Sequence, residues 1–277
     1  MMETVLLAVF AGLLAGSFLN VAVSRLPVMM ERAWTRFAKE HLDLPPDDGE
    51  SEPFGLCRPA SHCPHCHAPV ARRYNIPLLG FVLLHGRCAV CSMSIPMRYP
   101  LLEGLTALVF GMVAWRYGAS METVYGCVFA AFLLTGAFVD AETRYLPDQT
   151  TLPLMWFGFL FNFSDGLVPL QEAVSGAAAA YCSFRLLNAV YKRLRGADGM
   201  GGGDFKLFAA LGAWLGVYAL PLLAFLAALI GLAAALLMRA DRGQALPFGP
   251  SLAAAGGLLF IAYHDIMPVF YRFLSGG

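Results

Sequence analysis

Two aspartates stand at the edges of long apolar segments, where a charged side chain needs protein or water around it. Asp140 directly continues one apolar run, and Asp204 follows the glycine-rich segment 199–203 and precedes another. A charged group beside a membrane span is energetically costly and is a functional candidate by default. Two carboxylates in a partly dry site tend to share one proton, so one can deprotonate water while the other protonates a leaving amide. The pair therefore indicates aspartic-protease chemistry.

Each aspartate also has a purely structural interpretation. Asp204 could be the N-cap of the next helix, with the glycines as a hinge, although glycine also lets a second backbone approach closely. Glu142 and Asp148 share the segment 140–148 with Asp140 but lie beyond the apolar run. Asp148 follows a proline and could cap the next helix. Asp140 is the acid of this segment that we expect to be desolvated.

Four of the seven cysteines form two close pairs, with the spacing C-x2-C-x21-C-x2-C: Cys63, Cys66, Cys88 and Cys91. This spacing is close to that of zinc ribbons, in which two knuckles supply a tetrahedral four-sulfur site. A closed shell of four thiolates leaves no position for an activated water, so the pattern predicts structural rather than catalytic zinc. Four histidines remain alternative ligands: His62, His65, His67 and His85. Three cysteines lie outside the pairs: Cys57, Cys127 and Cys182.

The elements that position these residues are predicted to be membrane-spanning helices. The 277 residues are 58% hydrophobic and 14% charged, whereas ordinary globular domains are about 45–50% apolar. A helix needs ~20 mostly apolar residues to cross the bilayer. Eight segments approach that length: 4–24, 100–117, 122–139, 151–164, 169–190, 205–217, 219–238 and 249–272. The sequence predicts an all-α polytopic membrane protein with about eight transmembrane helices.

Basic residues predict the orientation of these spans, because cytoplasmic loops carry an excess of lysine and arginine. Such residues follow the odd-numbered spans: Arg25, Arg32, Arg36, Lys39, Arg144, Lys192, Arg193, Arg195, Arg239 and Arg242. Arg116 and Arg272, near the expected outer ends, do not fit this pattern. With odd-numbered spans ending inside, Asp140 and Asp204 are both predicted at the cytoplasmic face.

Three parts of the chain are predicted: a first transmembrane helix at 1–24, a small cytoplasmic four-cysteine zinc domain at 25–99, and a transmembrane aspartic peptidase domain at 100–277. The zinc domain thus lies between the first and second transmembrane helices. Its acidic run, 43–52, is predicted to be a solvated loop. Lysine plus arginine equals aspartate plus glutamate at 19 each, so no bulk charge indicates a nucleic-acid partner.

Taken together, the motifs resemble the type 4 prepilin peptidases, bifunctional leader peptidases and N-methyltransferases of type IV pilus and type II secretion systems. The resemblance covers nearly the whole chain. It rests on the four-cysteine segment, on D-x6-P-D and G-x-G-D motifs, and on other short matches: 17–21, 25–27, 98–103, 140–148 and 201–207. It implies that Asp140 and Asp204 are the catalytic pair, in the bacterial inner membrane with the active site facing the cytoplasm.

The resemblance also implies substrates and a second activity. The family cleaves prepilins and pseudopilins after a short basic leader that ends in glycine, before an apolar helix that usually starts with phenylalanine. It then methylates the new amine from S-adenosylmethionine. The residues for methyl transfer stay open, and four candidates also have alternative roles as membrane-surface anchors or interhelical hydrogen-bonding partners: Asn20, Arg25, Arg98 and Glu103. The oligomeric state also stays open.

Two other classes of function compete with a peptidase. A proton- or cation-coupled transporter would place its carboxylates near mid-membrane in repeat-related positions, whereas these acids are predicted at one face and no internal repeat is evident. A non-catalytic scaffold with a zinc domain would leave the glycine-flanked Asp204 without a role.

Overall fold

Helices make up most of the part of the chain that the structure, a computed structural model, describes: residues 1–45, 54–238 and 246–274. Within these ranges there is no strand, and two isolated bridges are the only β-type pairing. The helices are α1 Met2–His41, α2 Leu79–Leu83, α3 Arg98–Tyr117, α4 Met121–Thr143, α5 Asp148–Phe163, α6 Leu170–Arg195, α7 Gly202–Leu215, α8 Leu220–Leu237, α9 Gly249–Ile261 and α10 Tyr263–Leu274. Arg239, Arg242 and most of the acidic run lie outside the described residues.

Each of the eight predicted apolar segments coincides with helical structure, which confirms the all-α prediction for the described residues. The last segment is broken, because α9 and α10 meet at a bend of 91°. Three helical stretches are long and apolar enough to cross a membrane, namely α1, α4 and the stretch 217–237 that contains α8. The bent pair would make a fourth. The protein is therefore a helical membrane protein, while the count of eight spans stays a prediction.

The chain divides into two compact units, one of residues 6–111 and the other of residues 1–5 with 112–277. The division falls within α3, whereas the predicted parts end at residues 24 and 99. In the first unit α1 and α3 pack closely. A Cβ added at Gly12 would lie 2.6 Å from Cα of Ala107, and one at Gly16 would lie 2.7 Å from Cα of Glu103. Small residues at such a crossing let two helix backbones approach.

The second unit is built around α7, whose residues Phe205 and 207–215 are all buried. Helices α5, α6 and α9 surround it. A helix that is apolar on every side is stable only when other helices or lipid cover it. Trp214 is fully buried, and its indole ring packs against Phe129, Phe161 and Phe260. Because α7 begins next to Asp204, its packing determines where that aspartate lies.

The carboxyl end of α7 is closed by side chains from neighbouring helices. The last carbonyls of a helix have no partner within the helix and must find one elsewhere. Nδ2 of Asn162, on α5, donates to the carbonyls of Ala213 and Trp214, at 2.7 and 3.2 Å. The hydroxyl of Tyr263 donates to the carbonyl of Leu215 at 3.2 Å, and the Gly216 amide donates to Gly212. The end of α7 is therefore anchored on protein.

The exterior of the second unit is apolar. On α8 a stripe of large side chains with helical spacing is exposed: Phe225, Leu229, Leu232 and Leu236. An apolar surface of this kind is stable in contact with lipid rather than water. The stripe therefore supports a position for α8 at the lipid boundary.

We predict that the crossing of α6 and α7 requires glycine at position 176. A Cβ added at Gly176 would lie 2.5 Å from the carbonyl oxygen of Gly212, so Gly176→Ala must push the helix backbones apart. We expect the free energy of unfolding to fall by about 1–3 kcal/mol, the typical cost of overpacking. Thermal unfolding in detergent micelles measures this change.

The matched control is Gly257→Ala on α9, where an added Cβ would meet nothing within 4 Å. The control should unfold at or above the wild-type temperature, since alanine favours a helix over glycine by roughly 0.5–1 kcal/mol. Equal stability of Gly176→Ala and the control would contradict the close crossing.

Candidate active site

Asp140 lies in the last turn of α4 and is 5% exposed. Its Oδ2 accepts a hydrogen bond of 3.0 Å from the backbone N–H of Gly249, the first residue of α9. A Cβ added at Gly249 would lie 2.6 Å from this oxygen. The carboxylate is therefore held at the start of α9 by a contact that only glycine permits.

Asp204 lies in the first turn of α7 and is partly exposed. The N-cap of α7 is Gly201, which makes no side-chain capping bond, so the structure does not support the interpretation of Asp204 as an N-cap. The carboxylates of Asp204 and Asp140 are close enough to interact electrostatically. The helix ends thus bring together two acids that lie 64 positions apart in the sequence.

Leu146, in the loop between α4 and α5, lies between the elements that carry the two acids. A Cβ added at Gly203, next to Asp204, would lie 2.6 Å from Cβ of Leu146. One added at Gly249, next to Asp140, would lie 3.1 Å from Cδ1 of Leu146. The buried leucine therefore packs against the starts of both α7 and α9, and the close approach depends on both glycines.

The other acids of the segment 140–148 have different surroundings. Glu142 is exposed. Asp148 is the first residue of α5, and both of its carboxylate oxygens accept from Nζ of Lys206, at 2.6 and 2.7 Å. The N-cap of α5 is Pro147, so Asp148 is an ion-pair partner of α7 rather than a cap. Asp140 is the buried acid of the segment, as the sequence predicts.

This arrangement can perform acid–base chemistry on a peptide. One carboxylate is buried and held by a backbone N–H, and the other is partly accessible and directly follows three glycines in the first turn of a helix. A water molecule between two such groups can lose a proton to one of them while the other donates to a carbonyl oxygen. The geometry fits the predicted dyad, whose catalytic role stays a prediction.

The four paired cysteines form a separate cluster in the first unit. Their Sγ atoms all lie within 4.8 Å of one another, with 3.8 Å between Cys63 and Cys91 and 3.9 Å between Cys66 and Cys88. Tetrahedral zinc with Zn–S bonds of ~2.3 Å requires sulfur atoms ~3.8 Å apart. The donor set and its spacing therefore fit zinc. Among the described residues, no histidine nitrogen belongs to this group.

The two cysteine turns have the same backbone hydrogen bonds. In the first, the Cys63 N–H donates to Ala68 and the His67 N–H donates to Cys63. In the second, Cys88 and Ser92 make the equivalent bonds. His67 and Ser92 both have positive φ, at 55° and 57°. This repeated conformation turns both thiols of each pair toward the same point.

Backbone amides also favour the thiolate form in these turns. The amides of Cys91 and Val90 lower the pKa of Cys88 to about 6. The Met93 amide lowers the pKa of Cys91, but burial and the neighbouring thiols outweigh it and raise that pKa to about 11. Adjacent thiolates repel one another, so a divalent cation is what allows all four to ionise together.

The four candidates for methyl transfer lie in the first unit, and each has a partner there. Nδ2 of Asn20 donates to the carbonyl of Tyr99, and Arg25 donates to three carbonyls of the segment 55–59. Arg98 donates to Ser24, and the carboxylate of Glu103 accepts from the Leu78 N–H. All four thus tie α1 or α3 to neighbouring backbone or side chains. For Asn20 and Glu103 this agrees with the hydrogen-bonding role considered from the sequence, whereas the role of Arg25 and Arg98 as membrane-surface anchors stays a prediction.

The fold and the site define a helical membrane protein with two interacting carboxylates at one end of a helix bundle. The type IV leader peptidase family matches residues 127–236, and the bacterial peptidase A24 N-terminal domain matches residues 10–117. The chain therefore belongs to the type IV leader peptidase family, a family of aspartic peptidases, as its motifs indicate.

Relatives named prepilin leader peptidase/N-methyltransferase agree with this assignment. One from Neisseria gonorrhoeae is 55% identical over 94% of this chain and 91% of its own length. One from Dickeya chrysanthemi is 46% identical over 89% and 88%. One from Pseudomonas aeruginosa is 39% identical over 97% and 94%. No solved structure matches the chain.

Two residues at the site, Gly249 and Lys206, were not predicted from the sequence. Gly249 and its neighbour Pro250 precede an apolar run, a pattern that signals a helix start. Nothing local indicates its bond with Asp140, which is 109 positions away. Lys206 follows Asp204 by two residues, and its ion pair with Asp148 likewise depends on how α5 and α7 pack.

We predict that Gly249→Ala impairs peptide cleavage, because the added Cβ would meet Oδ2 of Asp140 at 2.6 Å. Displacing a catalytic group by ~1 Å can cost ~100-fold in rate, so we expect a fall in kcat of about 10- to 100-fold. Peptidase assays of purified, folded protein in detergent measure it. Gly257→Ala on the same helix should cleave at the wild-type rate. A wild-type rate for Gly249→Ala would contradict the proposed contact.

We predict that replacing one cysteine of each pair, Cys63→Ser with Cys88→Ser, removes zinc from the protein. Two thiolates of a four-sulfur site do not hold the ion as four do. Metal analysis of the purified variant should show loss of about one zinc per chain, with earlier proteolysis of the cysteine segment. Cys57→Ser, outside the cluster, should retain the metal. Stoichiometric zinc in the double variant would refute the four-cysteine site.

Proposed function

We propose that the chain removes the leader of type IV prepilins or type II secretion pseudopilins, using Asp140 and Asp204 as an acid–base pair. The observation that carries the proposal is the convergence of these two residues at one end of the second unit, where Leu146 packs against the starts of both α7 and α9 and the Gly249 N–H holds Asp140. The names of the relatives support the choice of substrate. Family membership does not favour the alternative of a proton- or cation-coupled transporter.

The proposed reaction is hydrolysis by an activated water. The ionised carboxylate of the pair accepts a proton from water while the water oxygen attacks the scissile carbonyl carbon. The protonated carboxyl donates to the carbonyl oxygen. As the C–N bond breaks, the carboxyl that took the water proton gives it to the departing amine nitrogen, and the diol returns a proton to the other carboxylate as the C=O bond re-forms, so the pair again holds one proton. The Gly249 N–H fixes Oδ2 of Asp140, so Oδ1 is assigned the contact with water.

The glycine-rich segment before α7 supports access of a peptide to this site. A Cβ added at Gly202 would meet nothing within 4 Å. Because glycine has no side chain, the backbone at this position is left uncovered on the side where the Cβ of another residue would point. An extended substrate can approach such a backbone closely. We assign this segment to binding of the residues around the scissile bond, which in the family follows the leader's terminal glycine.

The orientation of the site is part of the proposal. Arg144 follows α4, and Lys192, Arg193 and Arg195 lie in the last turn of α6. Asp140 lies at this same end of α4. The loop that follows this end of α6 leads to Asp204, in the first turn of α7. Basic residues are enriched on the cytoplasmic side. This distribution supports a bacterial inner-membrane protein whose aspartates face the cytoplasm.

The four cysteines are proposed to hold a structural zinc ion in the first unit. A complete set of four thiolates leaves no coordination position for water or substrate. Zinc would link two turns that lie 21 residues apart in the sequence, and so stabilise a segment with few helices of its own. Lipid and the prepilin or pseudopilin are the proposed partners, and nothing in the charge distribution favours nucleic acid.

Methylation of the new N-terminal residue, usually phenylalanine, is the second proposed activity, supported by the names of the relatives. S-adenosylmethionine supplies the methyl group as an electrophilic carbon. We assign this activity to the first unit. There the buried Oδ1 of Asn20 has no hydrogen-bond partner among the described residues, and Glu103 lies on the adjacent α3. An unpaired acceptor of this kind fits the amino group of the methyl donor or a water that contacts it.

We predict that Asp140→Asn and Asp204→Asn each abolish leader removal, because neither amide can exchange a proton at the required step. General acid–base catalysis contributes about 10²- to 10⁴-fold, so a loss in kcat of at least that size is expected. The measurement follows cleavage of a purified prepilin in detergent. Asp148→Asn, which removes an acid of the same segment, should reduce the rate far less. If either folded dyad variant cleaves at the wild-type rate, the proposal is wrong.

A further inference from the structure

A group of three polar side chains outside the aspartate pair holds the loop that leads into α7. We call it the loop clamp, formed by Asn188 and Lys192 on α6 and Asp198 in the loop. Nδ2 of Asn188 donates to Oδ1 of Asp198 at 3.1 Å, and Nζ of Lys192 donates to Oδ2 at 2.9 Å. The clamp therefore joins the last turns of α6 to the returning chain.

The side-chain oxygen of Asn188 also holds the backbone of this loop. It accepts from the N–H of Gly199 at 2.9 Å and from the N–H of Met200 at 3.1 Å. One amide side chain thus makes three of the hydrogen bonds that fix the loop. Met200, which donates the last of these bonds, lies four residues before Asp204 in the segment that leads into α7.

The loop needs such a restraint because of its composition. Glycine loses more backbone freedom on ordering than any other residue, and positions 201–203 are all glycine. Gly199 itself lies against the ring of Tyr191, so close that an added Cβ would be 2.7 Å from Cδ1. α6 ends just before, at Gly196, with φ of 75°. Local sequence alone therefore leaves the start of α7 weakly held.

The amide contributes more to this restraint than the ion pair does. The side chains of Lys192 and Asp198 are 59% and 56% exposed, and an exposed ion pair contributes little to stability. The hydrogen bond from Lys192 and, to a smaller extent, the one from Asn188 lower the pKa of Asp198, so this carboxylate is charged at neutral pH. Asn188 is partly buried and is the member of the clamp whose side chain bonds both the loop side chain and the loop backbone.

We propose that Asn188 is a positioning residue for peptide cleavage, which holds the 198–200 backbone so that Asp204 enters α7 in its reactive position. The inference rests on the proposed role of Asp204. Asn188 itself touches neither substrate nor the reacting atoms. Its loss leaves two backbone donors without their acceptor and removes one of the two bonds to Asp198, and the three glycines that follow allow Asp204 to leave its position.

The experiment exchanges the two polar groups of the clamp. Asn188→Ala removes all of its bonds. Asn188→Asp keeps the acceptor for the two N–H groups but opposes Asp198 with a second carboxylate. Asp198→Asn replaces a carboxylate that accepts from two donors with an amide, so the new NH2 group faces a donor, either Lys192 or the amide NH2 of Asn188. The double variant Asn188→Asp with Asp198→Asn can restore every bond, with only the side-chain bond between positions 188 and 198 reversed in direction, and it leaves the net charge unchanged.

We expect kcat for cleavage of a purified prepilin to fall about tenfold in Asn188→Ala, with KM within about twofold of wild type, because misplacement affects the chemical step. The kcat of each single variant, Asn188→Asp and Asp198→Asn, should lie between those of Asn188→Ala and the wild type. The double variant should recover most of the wild-type kcat. Hydrogen exchange of the 198–204 peptide should be faster in Asn188→Ala and return toward wild type in the double variant. Ser175→Ala, at the other end of α6, is the matched control and should change neither.

The outcomes separate this inference from the proposed function. Asp204→Asn is measured in parallel. If it is inactive while Asn188→Ala cleaves at the wild-type rate, the positioning role is refuted and the dyad stands. If Asp204→Asn is active, the dyad itself is wrong. Should Asn188→Ala fail to fold, the exchange series decides: a double variant no faster than the slower single variant overturns the proposal.

Discussion

The buried position of α7 is the constraint on which the rest of the second unit depends. The helix has 14 residues, whereas a helix that crosses the bilayer needs ~20. A helix of this length is too short to cross the hydrocarbon core, so its unpaired terminal N–H and C=O groups must find partners in protein. Asn162 and Tyr263 supply donors to the carbonyls at one end. The glycine-rich loop, held by Asn188, supplies the other end, and that is where Asp204 lies.

Close packing around α7 explains why glycine recurs at the site. Gly212 meets Gly176 on α6, Gly203 meets Leu146, and Gly249 meets both Leu146 and Asp140. At Gly176, Gly212 and Gly203 a Cβ would collide with backbone or with the Cβ of a buried side chain, and at Gly249 it would displace the carboxylate of Asp140. Protein interiors respond to added volume by shifting backbone rather than by compressing. The aspartates can approach each other because the elements that carry them lack side chains at their points of contact.

The features that sequence predicts best are those that depend on neighbouring residues. The cysteine cluster follows from two C-x2-C turns with identical local bonds, and the helices follow from apolar runs. The predicted span 4–24 ends before the helix does, since α1 continues through Pro27 to His41 and the mixed polar segment 25–41 carries no unbroken apolar run to mark a helix. The bend after Ile261 also lacks a local signal, since the residue between the helices is Ala262.

Long-range contacts are what the sequence could not supply. The bond between Gly249 and Asp140, and the ion pair between Lys206 and Asp148, join residues 109 and 58 positions apart. Their existence depends on which helices pack together, and apolar periodicity does not encode that choice. The aspartates were predicted nonetheless, because a charge at the edge of an apolar run is costly wherever the helix packs. The position of an acid beside an apolar run is visible in the sequence, whereas the residues that contact the acid depend on how the helices pack.

The two proposed activities have a fixed chemical order that follows from the nitrogen they share. In the intact precursor this nitrogen is an amide, whose lone pair is delocalised into the carbonyl and is a poor nucleophile toward a methyl donor. Hydrolysis by the aspartate pair converts it to an amine, which can accept a methyl group once it is unprotonated. The methylation proposed for the first unit would therefore act on the product of the hydrolysis proposed for the second. A defect that displaces Asp204 would suppress both activities on a full-length precursor, whereas a defect confined to the first unit would leave cleaved but unmethylated product.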